Sequence, residues 1–259
     1  MPEYYATGET SVAFSLGQKV ILVTGASSGI GRSTCRELAG HGASVILLAR
    51  REAGMRETMS TMPEGQGLPI KTDLRDLASL PAIVEQARSW KGRIDGFVHC
   101  AGIGGRARLR DVTPELVAKN MLVHTYSFVE IVRVLMRLKK KTEPLQIAAI
   151  SSLAAEGHDK QLLAYGAAKA ALEAAAKIMA VELAARSTLV NLIRPAFVNT
   201  VSRNEELLGD FAVRLEKNGY QPLGIIPPEE VAQMAAYLMS PAATHISGMV
   251  FSLNGGVPC

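Results

Sequence analysis

Short runs of apolar and β-branched residues recur along the chain, separated by longer stretches with helical spacing. Residues 19–24, 43–49, 67–72, 96–99, 145–151, 189–193 and 249–253 predict strands. Most are apolar nearly throughout instead of alternating, the pattern of strands buried on both faces. Residues 30–40, 77–90, 114–140, 165–185 and 229–239 have the spacing and length of helices. This alternation runs to the C-terminal end and predicts an α/β fold, a doubly wound parallel sheet with helices on both faces. No repeat, linker or low-complexity segment interrupts it. Residues 1–15 therefore read as an N-terminal arm, and 16–259 as one domain, a length ample for a sizeable core.

Composition narrows the class. Hydrophobic residues make up 48% and charged residues 20% of the 259, the balance of a globular protein. Lys and Arg number 28 against 24 acids, a net charge of +4, which without a clustered patch is no argument for nucleic acid. Cys35, Cys100 and Cys259 are scattered and free of C-x-x-C spacing, so neither a disulfide framework nor a zinc site is expected, and a metal is not implied. The first fourteen residues carry acids and no basic region ahead of an apolar run, unlike a signal peptide. No apolar stretch approaches the roughly 18 residues that span a bilayer. The expectation is a cytoplasmic protein that engages neither membrane nor nucleic acid.

The first predicted strand runs straight into Gly25-Ala-Ser-Ser-Gly29-Ile-Gly31 and a helix. Gly25 and Gly29 let the backbone turn sharply and approach a pyrophosphate, and Gly31 lets the helix pack against the strand. The open amides at the helix start then attract the anion. About 20 residues on, dinucleotide sites that select NAD carry an acid for the ribose 2′-hydroxyl. Here the second strand ends in Arg50-Arg51. Arginine pairs with a 2′-phosphate that a carboxylate would repel, so NADP(H) is the expected cofactor. The competing reading makes Arg50 and Arg51 a solvated strand end. Arg32 offers a further positive charge.

Tyr165 and Lys169 stand four apart in an alanine-rich helix and so share one face. A phenol with a pKa of about 10 is a poor acid–base group near neutrality, and an adjacent ammonium stabilises its phenolate. Ser152 closes the preceding strand, 13 residues earlier.

Together these motifs resemble the short-chain dehydrogenases/reductases over roughly residues 16–256, in particular the simple single-domain ketoreductases of the 3-oxoacyl-carrier-protein reductase kind. The segment TGASSGIGR is similar to the family's cofactor fingerprint. Asp73 resembles the acid that holds the adenine amine. His99–Gly102 resembles the N-N-A-G segment with both asparagines replaced. Tyr165–Lys169 fits Y-x-x-x-K, and Arg194–Thr200 resembles P-G-x-x-x-T with Ala196 for the glycine. The resemblance implies a Rossmann-like fold and cofactor contacts at Gly25, Ser27, Ser28, Gly29, Ile30, Gly31, Arg50, Arg51, Asp73, Leu74, Cys100, Ala101, Gly102, Tyr165, Lys169, Pro195, Val198 and Thr200. It implies that Ser152 polarises the substrate carbonyl, with Ser151 the alternative, that Tyr165 moves the proton, and that Lys169 also bonds the nicotinamide ribose. The family's fourth catalytic residue, an asparagine, falls in register at His124; Asn120, one turn earlier, would take that place only if the register shifted. Two readings of His124 stand: a proton relay titrating near neutrality, or a helix histidine that preserves packing. Cys100 reads as a small buried hydrophobe, not a nucleophile.

The implied activity is reduction of a ketone or 3-oxo group to a secondary alcohol, or the reverse. The alternative is a catalytically weak or silent dinucleotide-binding regulatory protein of the same fold. Arg106, Arg108 and Arg110 follow the His99–Gly102 segment; they suit a carrier- or coenzyme A-linked substrate, or form a solvated basic loop. Residues 201–223 fall where the family carries its substrate lid. Ten alanines between 167 and 185 make a smooth helix that admits close packing, and in the family this helix commonly joins subunits, so a homodimer or homotetramer is expected.

Overall fold

The computed structural model describes residues 14–157, 160–200 and 220–257. Most of the expected N-terminal arm and most of the expected lid lie outside them. Seven parallel strands form one sheet: β1 (Val20–Thr24), β2 (Ser44–Ala49), β3 (Gly67–Lys71), β4 (Gly96–His99), β5 (Leu145–Ile150), β6 (Thr188–Pro195) and β7 (Val250–Leu253), in the order β3-β2-β1-β4-β5-β6-β7. The chain runs outward from β1 to β3, then returns to place β4 on the other side of β1. Ligands of such sheets bind at that reversal, beyond the C-terminal strand ends.

Alternate residues of each strand feed a separate core. From β1, Ile21 and Val23 pack with Cys35 and Leu38 of α1 (Gly29–Gly40) and with Val231 and Leu238 of α7 (Pro228–Met239). Val20 and Leu22 pack the other way, onto Val84 of α3 (Leu80–Ser89), Phe128 and Ile131 of α5 (Ser127–Leu138) and Leu172 of α6 (Leu163–Leu183). Phe97 of β4 stacks on Phe128 at 5.9 Å and meets the His99 ring edge-on. Truncating such a ring costs about 3–5 kcal/mol, a large share of the roughly 5–15 kcal/mol that holds a domain folded.

Two helical features differ from the sequence expectation. Helix α2 (Glu52–Met59) was not expected, because EAGMRETM is short, polar and contains Gly54. Its stability comes from docking on the glycine loop: a Cβ on Gly54 would stand 2.8 Å from the Ser27 carbonyl oxygen. The single helix expected over 114–140 is broken into α4 (Pro114–Met121), a π-helical turn (Leu122–Tyr126) and α5. The wide turn presses Thr125 onto the neighbouring helix, where its hydroxyl donates to the Ala168 carbonyl at 2.8 Å. Such turns concentrate at functional sites, and this one carries His124. Among the described residues, no helix is long and apolar enough to cross a membrane.

Candidate active site

The glycine loop leaves β1 at Gly25, whose φ of +69° only glycine adopts freely. A Cβ there would stand 2.8 Å from Ala101 Cα, at the end of β4. Gly29 turns at φ +52° beneath the Thr200 side chain, 3.1 Å from where its Cβ would be. A Cβ on Gly31 would lie 2.3 Å from the Gly25 carbonyl oxygen, so this glycine clears the loop's own turn, not the strand as expected. The loop thus packs closely on the Ala101 backbone and beneath the Thr200 side chain. Ser28 caps α1 in extended conformation, and the helix's first turn, with Ile30, holds no acid, which leaves its amides free to attract an anion. Ser27 is buried, and Val198 bridges Ile226 just after Pro195 closes β6.

The charges around the loop are arranged in a way the sequence did not disclose. Arg32 is not a spare cation: it bonds Glu57 at 2.7 Å, the Ser27 carbonyl at 2.9 Å and Thr58 at 3.2 Å, tying α2 to the loop. Arg50 and Arg51 are exposed at the end of β2, and among the described residues neither makes an ion pair. Asp73 accepts a fork from Arg75, whose hydrogen bonds hold its pKa down to about 2, with Arg50 contributing last. Leu74 beside it is buried in the core.

The catalytic candidates converge at the ends of β4 and β5. Lys169 is buried and donates to the Ile150 carbonyl at 2.6 Å; burial lowers its pKa to about 7. Its Nζ lies 5.8 Å from the centre of the Tyr165 ring. The two serines differ in their partners. Buried Ser151 donates to Glu173 at 2.6 Å, whereas Ser152 accepts from the Ala154 amide at 3.2 Å and keeps its own proton to give.

His124, not Asn120, faces the tyrosine: the two rings meet edge-on, 5.3 Å between centres. Its Nε2 lies 2.9 Å from the Ile103 carbonyl oxygen and 3.3 Å from the Ile103 amide, and buried Nδ1 has no hydrogen-bond partner among the described residues. Burial first, then the Lys169 charge, lowers its pKa to about 2. A dry pocket beside Lys169 thus favours the packing reading of this ring over the relay. His124 also explains Gly102, since a Cβ there would stand 2.9 Å from its Cε1. Asn120 donates to Leu116 and lines a cavity of about 80 Å³ with Ile103, Val112 and Gln161. His99 is buried against Thr24, its Nδ1 2.9 Å from the hydroxyl, and burial lowers its pKa to about 3. Burial pushes the Cys100 thiol up to about 12, so it is no nucleophile near neutrality. Of the basic loop, Arg106 donates to the Lys160 carbonyl and Arg110 lies 4.0 Å from Asp111.

The sequence reading missed Glu173. It follows Lys169 by four residues on the same helix, buried, and binds Arg194 of β6 through both oxygens. Its spacing of four and eight from Lys169 and Tyr165 was the available signal.

Comparison with known proteins agrees with this geometry. Residues 25–258 match the family model described as enoyl-(acyl carrier protein) reductase. The 3-oxoacyl-[acyl-carrier-protein] reductase FabG of Escherichia coli is 31% identical over 240 residues, covering 92% of this chain and 97% of that protein. A short-chain dehydrogenase/reductase structure from Serratia marcescens superposes with a TM-score of 0.85 at 30% identity, covering 93% of this chain and 98% of that one. The 3-ketoacyl-(acyl-carrier-protein) reductase of Brucella melitensis, complexed with NADH, superposes at 0.83 with 27% identity, covering 93% and 99%. With residues 25–258 matched by the family model, relatives 30% or more identical over nearly their whole length and the strand order in place, the chain belongs to the short-chain dehydrogenase/reductase family of oxidoreductases.

Proposed function

We propose that this chain is an NADP(H)-dependent ketoreductase, converting a ketone or 3-oxo group to a secondary alcohol with Tyr165 as proton donor. The observation that carries the reading is the buried Lys169, held by the Ile150 carbonyl beside the Tyr165 ring. A nicotinamide dinucleotide fits the residues present: its pyrophosphate over Gly25, Ser27, Ser28, Gly29, Ile30 and Gly31, a 2′-phosphate at Arg50 and Arg51, and its adenine by Asp73 and Leu74. Cys100, Ala101, Gly102, Pro195, Val198 and Thr200 would line the rest. When bound, the cofactor supplies the hydride. Ser152 donates a hydrogen bond to the substrate oxygen and orients the carbonyl. Tyr165 gives its phenolic proton to that oxygen, and the Lys169 ammonium stabilises the phenolate left behind. His124, neutral throughout the working range, packs against the Tyr165 ring and keeps Nδ1 unpartnered beside it.

The names of several relatives favour a carrier-linked 3-oxoacyl substrate, with Arg106, Arg108 and Arg110 near the cofactor mouth; the same basic loop would suit a coenzyme A thioester. Assembly as a dimer or tetramer is supported by α6, which exposes Ile178 (59%) and Val181 (81%); Cys35 and Cys100 as free thiols suit a cytoplasmic setting. NADPH consumption over 3-oxoacyl thioesters, cyclic ketones and 2-enoyl thioesters tests the reading. Turnover of a ketone is expected. NADPH binding without turnover of any carbonyl would favour the silent regulatory protein, to which the replacement of asparagine at His99, Cys100 and His124 lends its support.

A further inference from the structure

One buried charge stands beside the cluster with no part in the steps above. The Glu173 carboxylate lies on the face of α6 that carries Tyr165 and Lys169, one turn beyond the lysine. Its Oε1 accepts from Ser151 Oγ at 2.6 Å and Arg194 Nε at 2.9 Å, and its Oε2 from Arg194 Nη2 at 2.6 Å. Arg194 also reaches Glu156 in the turn that follows Ser152, and Lys177 stands 4.0 Å from Glu173 at the outer edge. Three consecutive residues are thereby fixed: Ile150 by Lys169, Ser151 by Glu173, and Ser152 between Ser151 and the turn that Glu156 anchors.

We propose that Glu173 is a positioning residue of the reaction: through Ser151 and Arg194 it sets the strand end that presents Ser152, and its negative charge sets the proton balance of the Tyr165–Lys169 pair. The proposal rests on the acid–base role assigned to Tyr165. The other groups facing the pair are Cys100 and His99 from β4 and His124 from the π turn; burial raises the thiol to about 12 and lowers the two rings to about 3 and 2, so none of them changes charge near neutrality. Cys100 and then Glu173 oppose the desolvation of Lys169, and of the two only the carboxylate is charged near neutrality. A plain buried ion pair would stabilise the fold without moving the ionisation of Tyr165, and buried pairs are weak evidence of stabilisation in any case.

The test is the ionisation midpoint of Tyr165 by ultraviolet difference titration, isolated by subtracting the matching Tyr165→Phe proteins, which needs neither cofactor nor turnover. Glu173→Gln removes a negative charge and should move the midpoint acidward by about half a pH unit or more. Arg194→Met removes the opposing charge and should move it alkaline. The double variant should return close to wild type. If Glu173→Gln does not fold, the double variant still reads the same charge, because it should lie acidward of Arg194→Met. In steady state, Glu173→Gln should lower kcat on the order of tenfold to a hundredfold, with KM for NADPH little changed, as expected for a misplaced reacting group. A midpoint within about 0.2 unit of wild type, or shifts of the same sign in both single variants, overturns the proposal. Absence of turnover by the wild type on every carbonyl would sink the proposed activity alone, since the tyrosine titration still reads Glu173.

Discussion

The Lys169 ammonium donates to the main-chain oxygen of Ile150 at 2.6 Å, a contact 19 residues apart in sequence that joins α6 to the end of β5. One hydrogen bond does not offset the water this ammonium has lost, and its pKa falls from 10.5 to about 7. Between those values the unfolded chain holds a proton on this residue that the folded protein has released. Stability from this group therefore rises with pH across that window. Lys169→Met removes the effect: the stability of wild type relative to the variant, followed by denaturant unfolding, should climb between about pH 7 and 10 and flatten below it. A difference independent of pH would contradict the buried, depressed lysine. In turnover, the same variant should lose both rate and cofactor affinity.

Replacing Tyr165 by Phe keeps the ring that His124 meets edge-on and removes the hydroxyl with its transferable proton. Turnover should fall by roughly 10² to 10⁴. NADPH binding, measured by fluorescence titration, should persist, because the glycine loop and Arg50 are untouched. Near wild-type turnover on the true substrate would refute the mechanism.

Cofactor choice should follow the strand end. NADPH is expected to bind at least tenfold tighter than NADH, about 1.4 kcal/mol. Arg50→Asp should move the preference toward NADH; equal affinities in the wild type would remove the basis for assigning NADP(H).

Gly25→Ala should cost about 1–3 kcal/mol from its positive φ alone, and its methyl would meet the Ala101 backbone. Thermal melts should show a lowered Tm and the loss of the rise that NADPH gives the wild type. A variant with unchanged Tm that NADPH still stabilises would show that the glycine loop is not the pyrophosphate site.

His124 should stay neutral throughout the working range. Proton NMR of the imidazole should reveal no titration between about pH 5 and 8, in keeping with a pKa near 2. A midpoint inside that interval would restore the relay.

The sheet and the reactive trio were legible because their signals are local. A strand buried on both faces is apolar by composition, and Tyr165 and Lys169 share a face by spacing alone. The π turn was not legible: one residue added to a helix leaves the apolar pattern of 114–140 continuous, and only contact with Ile103 and Ala168 explains it. Helix α2 escaped for a related reason, since Gly54 lowers its propensity while permitting the approach to Ser27 that stabilises it. The commitment of Arg32 to Glu57 and of Ser151 to Glu173 is long-range pairing, which no local window contains.

Arg51 occupies the N-cap of α2 in extended conformation, with no side-chain bond to the helix amides. Helix physics favours Asp, Asn, Ser or Thr at that place, by about 1 kcal/mol over residues that cannot cap, and a cation there opposes the helix dipole. An acid at position 51 would serve the helix better, and it is the residue type that suits an unphosphorylated ribose. The head of α2 is therefore a fulcrum between two demands: the helix pulls the position toward aspartate, and a phosphorylated ligand pulls it toward arginine. A lineage released from the second demand would slide toward the first without passing through a less stable protein, and Arg51→Asp should raise Tm in the absence of any nucleotide.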